Sequence, residues 1–258
     1  MSIVVTEVEK RFIARGREVQ ALAGIDLEIE DGEFVAMVGP SGCGKTTLLN
    51  MMAGIALPTG GTVVHDGRTI DGPNRAVGYM TQVDSLLPWR TVFQNVVLPL
   101  QLRGVERRRS REVAQQMLAL VGLDGFGHHF PTELSGGMRK RAALAQLLSY
   151  EPATLLMDEP FGALDAQLKL VMQAELLKIW RNSGKTIVFV THDLAEAIAL
   201  ADRVIVFSGR PGKIKLIQPI DLERPRDIFT VRFQPAFQAL YEGLWAELAP
   251  EISKGEAL

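Results

Sequence analysis

The spacing of apolar residues changes along this chain, and the changes predict its strands and helices. The first third has short segments with partial alternation at 3–5, 21–29 and 61–65, separated by Gly and Asp turns, which predicts β-strands. An Asp-Gly pair at 66–67 predicts a tight hairpin, and His65 beside it is expected in the turn, with a structural role. From about 86 to 149 apolar residues recur at helical spacing, so we expect this part to be helical.

Two later segments are apolar throughout, which is typical of central strands in a parallel sheet that is covered on both faces. They are residues 154–158 and 186–191, and an amphipathic helix is predicted between them at about 166–181. This strand–helix–strand order indicates an α/β domain. Another apolar segment, 204–207, precedes a turn, and a short helical tail is predicted from Arg226 onward.

Composition excludes several classes of function. Of the 258 residues, 47% are hydrophobic and 22% are charged, and the net charge is −2, which gives no reason to expect binding to nucleic acid. No apolar stretch approaches the roughly 18–20 residues of a membrane span. We expect no secretion signal, because the N-terminus lacks a basic segment followed by an apolar one. The single cysteine, Cys43, permits no intramolecular disulfide and fits a reducing cytosol.

A glycine-rich loop follows the strand-like segment 34–38 and matches the phosphate-loop pattern G-x-x-x-x-G-K-[ST] at every fixed position. Its glycines allow the backbone N–H groups to surround anionic oxygens, and a predicted helix begins directly after it. Lys45 is predicted to reach the β- and γ-phosphates of a nucleotide, and Thr46 to bind Mg²⁺. The predicted nucleotide-binding residues of this loop are Gly39, Pro40, Ser41, Gly42, Cys43, Gly44, Lys45, Thr46 and Thr47.

Polar residues at the ends of the two apolar segments complete this predicted site. Asp158 ends the first segment and can hold the shell of Mg²⁺, and Glu159 can orient or deprotonate the attacking water. His192 ends the second segment. A lone histidine is commonly structural, but parallel strands bring their C-terminal ends to one edge, so we expect His192 to reach the γ-phosphate.

A second phosphate cradle is predicted at Ser135-Gly136-Gly137, which precedes a helix. Ser135 is a suitable N-cap, and the two glycines leave backbone N–H groups open to an anion. One chain therefore offers two cradles for one triphosphate.

Together these motifs resemble those of the ATPase subunits of ATP-binding-cassette (ABC) transporters, over about residues 3–225. The matching segments are GPSGCGKTT (39–47), Gln82 in YMTQ (79–82), LSGGM (134–138), TLLMDEP (154–160), GALD (162–165) and THD (191–193). The resemblance implies a phosphate-loop, RecA-like α/β fold: a mostly parallel sheet with an N-terminal antiparallel β subdomain and an inserted α-helical subdomain.

The same resemblance implies a division into domains. An ATPase domain would span 1–225, with a nucleotide-binding core and β subdomain at 1–84 and 150–225 and a helical signature subdomain at 85–149. The tail would occupy 226–258.

The resemblance also implies a role for each matching residue, with ATP and Mg²⁺ as cofactors. The implied catalytic residues are Glu159, His192, Lys45 and Gln82, and the implied metal ligands are Thr46, Gln82 and Asp158. Phe12 falls where the family stacks an aromatic ring on adenine, although a core phenylalanine is an alternative there. Asp165 is implied to bind nucleotide.

In this family two cassettes pair head to tail. Ser135, Gly136 and Gly137 would then bind the ATP held by the phosphate loop of a second copy, which explains two cradles per chain. Hydrolysis would let the dimer open.

The segments at 85–92 and 208–214, with LSGGM, look like those of the bacterial importer branch for nitrate, sulfonate, taurine and related small anions. That branch also includes importers of thiamine-precursor pyrimidines and riboflavin. The implied partners are transmembrane permease subunits, which would insert a coupling helix near 86–89, and indirectly a solute-binding protein. The implied location is peripheral, on the cytoplasmic face of the inner membrane.

Three residues depart from the family pattern around the signature: Met138, Lys140 and Gln146. We expect them to tune activity rather than abolish it. A basic run between Arg103 and Arg111 is interpreted as a solvated helix start, with a contact to anionic lipid as the alternative.

Two other classes of function are weighed against the transporter subunit. A soluble cassette ATPase acting on DNA or ribosomes would usually carry fused cassettes, a coiled-coil insertion or a strongly basic face, none of which is evident here. A phosphate-loop small-molecule kinase would leave the Ser-Gly-Gly cradle and His192 without a role.

Overall fold

A computed structural model describes residues 3–14 and 16–255, and within them the chain forms two sheets and a set of helices. The strands are β1 (Ile3–Ala14), β2 (Arg17–Ile29), β3 (Phe34–Val38), β4 (Gly60–His65), β5 (Arg68–Thr69), β6 (Val77–Met80), β7 (Thr154–Asp158), β8 (Thr186–Val190), β9 (Arg203–Phe207) and β10 (Ile214–Pro219). The helices are α1 (Lys45–Met52), α2 (Val92–Leu102), α3 (Arg107–Leu120), α4 (Gly136–Ser149), α5 (Ala166–Ser183), α6 (Leu194–Leu200) and α7 (Pro235–Gly255).

The N-terminal sheet has the strand order β2-β1-β4-β5 and is antiparallel throughout. The predicted Asp-Gly hairpin joins β4 and β5. Asp66 and Gly67 both have positive φ, 47° and 75°, as a two-residue hairpin turn requires.

The second sheet has the order β10-β9-β3-β8-β7-β6, and its pairs are parallel except for β10 with β9. Every residue of β3, β7 and β8 is buried, which agrees with segments that are apolar throughout. The predicted fold class is therefore confirmed. Because β3, β7 and β8 are parallel, their C-terminal ends share one edge, where the predicted site residues follow them.

Two hydrophobic clusters cover this sheet, one on each face. Alternate residues of β3 separate them: Phe34, Ala36 and Val38 belong to the cluster that contains the helices α2 to α7. Val35 and Met37 belong to the other, which contains α1 and the N-terminal sheet. The central sheet is thus fixed from both sides, so the loops at its edge begin from a rigid base.

Between β6 and β7 the chain forms α2, α3 and α4, in agreement with the helices expected at 86–149. In the tail, the long helix begins at Pro235, nine residues later than Arg226. The division into domains remains a prediction, and its limits at residues 1, 2 and 256–258 lie outside the described residues.

The histidine at position 65 was expected in a turn, and that placement is wrong. His65 ends β4 and is buried, with Nε2 3.1 Å from Oγ1 of Thr154 and Nδ1 3.3 Å from the amide of Asn74. Its expected structural role is unaffected, since the contact with Thr154 joins the two sheets.

Candidate nucleotide site

The glycine-rich loop lies between β3 and α1 and encloses the side chain of Lys45. The Lys45 ammonium donates to the carbonyl oxygens of Gly39 (2.8 Å) and Pro40 (2.9 Å), and only 7% of this residue is exposed. Gly44 has φ 107°, and a Cβ there would lie 2.5 Å from Leu22, so a side chain fits neither the backbone nor the space. The backbone of the loop therefore surrounds the side chain of Lys45.

A cavity of about 330 Å³ opens beside this loop and brings half of the predicted nucleotide-binding residues together with Gln82, Glu159 and His192. It is lined by Phe12, Val19, Ala21, Ser41, Gly42, Gly44, Lys45, Thr46, Thr47, Gln82, Glu159, Val190, His192 and Arg210. Val19, Ala21, Val190 and Arg210 line the cavity but are not among the predicted site residues. In the sequence, Arg210 stands out only as part of the Ser-Gly-Arg-Pro-Gly turn, which resembles that of the importer branch.

The carboxylate of Glu159 is the centre of a small polar group in this cavity. The amide Nε2 of Gln82 donates to Oε2 of Glu159 (3.3 Å), and Nδ1 of His192 lies 3.4 Å from the same oxygen. Both neighbours thus contact one carboxylate oxygen. Within the described part of the chain, Oε1 has no hydrogen-bond partner and can accept a proton from a water molecule.

The backbone at Glu159 is strained, which is common at functional sites. Its φ is 47°, in the left-handed region that a residue with a side chain enters at a cost of about 1–3 kcal/mol. The N–H of Glu159 donates to the carbonyl of Val190 (2.9 Å), which holds this conformation against β8. In this conformation the carboxylate contacts Gln82 and His192.

Asp158 lies behind Glu159 and is 1% exposed. Burial raises the pKa of its carboxyl group; a hydrogen bond with Thr46 opposes the rise, and the neighbouring Glu159 charge adds to it. Its Oδ2 is buried without a hydrogen-bond partner. An unpartnered carboxylate oxygen beside a threonine hydroxyl fits Mg²⁺, which takes one or two protein oxygens and completes its shell from phosphates and water.

The described residues contain no cluster of three or more His, Cys, Asp or Glu side chains that could hold a metal. A cation at Asp158 would therefore depend on Thr46 and on the nucleotide itself, as expected for a metal that arrives with its substrate.

Phe12 lies on β1 and lines the same cavity as Glu159. It is 44% exposed, and the ammonium of Lys10 is 5.2 Å from its ring centroid. This exposure argues against the alternative of a core residue. An open aromatic face beside the phosphate loop suits a base, so the adenine contact stays a prediction.

The signature residues do not line this cavity. Ser135 caps α4 by accepting a hydrogen bond from the N–H of Met138 (3.3 Å), and Gly136 and Gly137 form the first turn of the helix. A Cβ on Gly137 would lie 3.1 Å from the carbonyl oxygen of Ala163, so the signature packs closely on the segment after Glu159. The N-terminus of α4, where the signature lies, therefore does not face this cavity, and a helix N-terminus is suited to an anionic ligand.

Asp165 is also absent from the cavity lining. Its carboxylate caps α5 by accepting from the N–H of Leu168 (3.0 Å). Any nucleotide contact by Asp165 remains a prediction.

Lys140, one of the departures from the family pattern, joins α4, the helix that begins in the signature, to the segment around Gln82. The ammonium of Lys140 donates to the carbonyl oxygens of Thr81 (3.1 Å) and Gln82. Burial lowers the pKa of Lys140, and the charge of Asp84 is the main opposing influence. The neighbouring Arg139 pairs with Asp84 at 3.0 Å. The segment at 81–84 is thus held against α4, and hence against the signature.

Gln146, the other departure in this helix, donates to the carbonyl of Asn95 on α2 (2.9 Å). In the basic run, Arg103 stacks over Tyr150 with its guanidinium 4.5 Å from the ring centroid, so it is more than a solvated charge. Arg108 pairs with Glu112 on the exposed face of α3 (3.0 Å), as expected of a solvated helix start.

Comparison with known proteins places this arrangement among nucleotide-binding cassettes. A family model described as ABC transporter matches residues 22–162. An uncharacterized ABC transporter ATP-binding protein of Methanocaldococcus jannaschii is 47% identical over 90% of this chain and 87% of its own. A nitrate import ATP-binding protein of Synechocystis is 43% identical over 92% and 91%. A taurine import ATP-binding protein of Yersinia pestis is 47% identical over 75% and 76%.

Solved structures agree with these sequence relatives. An ATP-binding cassette described as a dimer in a post-hydrolysis state, bound to ADP and phosphate, superposes with a TM-score of 0.79 at 30% identity, over 86% of this chain and 100% of that one. A dimeric bacterial ABC transporter cassette gives a TM-score of 0.80 at 31% identity over the same shares.

Proposed function

Because this chain belongs to the ABC transporter family and is an ATPase, we propose that it is the motor subunit of a bacterial importer for a small anion or related solute, of the nitrate, sulfonate and taurine type. The observation that carries the motor role is the group formed by Gln82, Glu159 and His192 beside the phosphate loop. The import role is supported by relatives that are named as nitrate and taurine import ATP-binding proteins.

In this proposal the unpartnered Oε1 of Glu159 accepts the proton of the attacking water. Gln82 and His192 hold the other oxygen, so the carboxylate keeps one orientation during the reaction. Lys45 exchanges the carbonyls of Gly39 and Pro40 for the β- and γ-phosphates when nucleotide enters. Backbone N–H groups of the loop and of α1 surround the same phosphates.

Mg²⁺ would be held by Thr46 and by the free Oδ2 of Asp158. Gln82 lines the same cavity as Thr46 and is the third proposed ligand. When bound, the ion neutralises charge that develops on the phosphate oxygens.

A second copy of the chain is the proposed partner at this site. The chain's own Ser135, Gly136 and Gly137 lie outside its cavity, and the similar solved cassettes are described as dimers. We propose that these residues close on the γ-phosphate held by the other copy. ATP would then bridge two chains, and its hydrolysis would release them.

Permease subunits are the proposed membrane partners. A cavity of about 820 Å³ lies between residues 81–85 and α2, with Thr81, Asp84, Leu98 and Leu102 in its wall. It adjoins the segment at 86–89, where the coupling helix was expected, but residues 86–89 do not line it. A coupling helix seated there would touch the segment that Lys140 ties to the signature helix, so its movement could reach both halves of the ATP site. Among residues 3–14 and 16–255 no helix has the length and apolarity to cross a membrane. We propose a peripheral position on the cytoplasmic face of the inner membrane, reached through the permease.

The alternative cargo is a thiamine-precursor pyrimidine or riboflavin, since the same motor serves that part of the branch. A soluble role on DNA or ribosomes has less support, because the relatives named for a function are import proteins.

We expect this chain to sediment with membranes only when its permease subunits are co-expressed. Fractionation with immunodetection measures this. The Leu102→Glu variant places a charge in the proposed docking cavity and should lose most of the sedimenting fraction.

Leu57→Glu is the matched control, because Leu57 is an exposed leucine that does not line that cavity, and its variant should sediment normally. Sedimentation that is independent of the permease would contradict the proposed partnership. Equal behaviour of the two glutamate variants would contradict the proposed docking surface.

A further inference from the structure

The loop at residues 208–212, between β9 and β10, forms part of the wall around the phosphate loop. The N–H of Gly212 donates to the carbonyl of Ala21 (2.9 Å), and the N–H of Ala23 donates to the carbonyl of Gly212 (3.1 Å). A Cβ on Gly212 would lie 1.9 Å from the carbonyl oxygen of Cys43, so only glycine allows this approach. The loop is therefore fixed against β2 on one side and the phosphate loop on the other.

The C-terminal helix α7 also holds this loop. The buried carboxylate of Glu251 accepts a hydrogen bond from the N–H of Gly209 (3.0 Å) and lies 3.4 Å from the ammonium of Lys215. The backbone is thus anchored on both sides of Arg210.

Arg210 extends from the anchored loop into the nucleotide cavity. Its Nη2 donates to the carbonyl of Gly42 (3.2 Å), and the residue lines the cavity together with Phe12 and Lys45. A guanidinium carries five N–H donors, and within the described residues Arg210 uses one of them and has no ion pair. An exposed, mostly unused guanidinium at the edge of a phosphate site is suited to an anionic oxygen.

The position of the loop indicates which part of a nucleotide Arg210 meets. Val19 pairs with Phe12 across β1 and β2, and the loop contacts β2 at Ala21 and Ala23, two and four residues further along. The loop also contacts Gly42 and Cys43 of the phosphate loop. Arg210 thus lines one cavity with Phe12, the predicted base contact, and with Lys45, the predicted contact of the β- and γ-phosphates.

We propose that Arg210 is a nucleotide-binding residue that contacts the α-phosphate and ribose of the bound nucleotide. This inference rests on the proposed ATP site and adds to it a group from a part of the chain beyond the known motifs. The α-phosphate and ribose are common to ATP and ADP, so the contact strengthens the binding of both. It differs in this respect from Lys45, whose partners include the γ-phosphate.

The test compares ATP and ADP affinities of the full-length wild type with those of Arg210→Ala and Arg210→Lys, by titration with Mg²⁺ present. We expect Arg210→Ala to weaken both nucleotides by a similar factor, about 5- to 20-fold, the range of one charge-assisted hydrogen bond at a partly open site. Arg210→Lys should recover part of the loss, because it restores the charge without the fork of donors. Lys213→Ala is the matched control: Lys213 is an exposed cation next to the loop that does not line the cavity.

A salt series separates a direct contact from an indirect effect through the phosphate loop. The affinity of the wild type should fall more steeply between low and high salt than that of Arg210→Ala, because salt screens a direct ion contact. Equal salt dependence of the two proteins would overturn the proposed contact. A loss confined to ATP would also overturn it, because the contact would then lie at the γ-phosphate.

Lys45→Ala distinguishes failure of this inference from failure of the proposed function. If Arg210→Ala binds both nucleotides as tightly as the wild type while Lys45→Ala does not, the inference is wrong and the ATP site stands. If the wild type itself binds neither nucleotide, the proposed function fails.

Discussion

Replacement of Glu159 by glutamine is expected to lower ATP turnover by about 10²- to 10⁴-fold, the usual contribution of a general base. The glutamine side chain has the same shape and can keep a contact with Gln82. Its amide, however, cannot take a proton from water at the position of Oε1. The affinity for ATP should stay within about threefold of the wild type, because Glu159 repels rather than attracts the γ-phosphate. Release of inorganic phosphate and titration with nucleotide measure the two quantities.

The same variant should accumulate as a dimer when ATP and Mg²⁺ are present, because hydrolysis is the step that opens the proposed sandwich. Size-exclusion chromatography with and without ATP measures this. Glu223→Gln is the matched control, since Glu223 is an exposed carboxylate away from the cavity, and it should turn over ATP and elute like the wild type. Undiminished phosphate release by Glu159→Gln would remove this residue from the mechanism.

Replacement of Lys45 by alanine is expected to weaken ATP binding by about 10- to 150-fold, the equivalent of one buried hydrogen-bonded charge contact of roughly 1.5–3 kcal/mol. Lys45 is almost fully buried, and its ammonium is held by the carbonyls of Gly39 and Pro40 when no phosphate is present. Its charge is therefore already in position for the β- and γ-phosphates. The loss should be smaller for ADP, which lacks the γ-phosphate.

Isothermal titration with ATP and ADP measures this change, and urea unfolding of the same samples shows whether the phosphate loop is still folded. Lys178→Ala, at an exposed lysine on α5, is the control for removing a positive charge. A Lys45→Ala protein that is folded and binds ATP with unchanged affinity would refute the assignment of the phosphate loop.

The central strands could be predicted from the sequence because burial on both faces leaves a continuous apolar segment in β3, β7 and β8. Other elements gave weaker signals. β6 is four residues long and contains Gly78, and β10 lies at the edge of the sheet with alternating exposure, so neither has such a segment. The error at His65 came from the Asp-Gly pair that follows it, since the strand continues up to the turn.

The phosphate loop, Glu159 and His192 were expected to meet because each follows a strand whose C-terminal end reaches the same edge, and all three line one cavity. The signature and Asp165 begin helices and do not line it. The contacts made by Lys140 and Arg210 could not be predicted in this way. Lys140 acts on carbonyl oxygens 58 and 59 residues earlier in the chain, and Arg210 on one 168 residues earlier. Local sequence shows a basic residue at each position but carries no information on which distant backbone groups it meets.

The most direct test of the ATP sandwich is crosslinking between two different single-cysteine chains in the background of Cys43→Ser and Glu159→Gln. One chain carries Ser41→Cys in the phosphate loop and the other carries Met138→Cys in the signature, and each must first be shown to bind ATP. We predict that a short thiol crosslinker joins the unlike chains when ATP is present and not when it is absent, and that neither variant crosslinks to itself. Failure of the unlike chains to crosslink at saturating ATP, or crosslinking between like chains, would contradict the proposal that two copies of this chain hold the nucleotide between them.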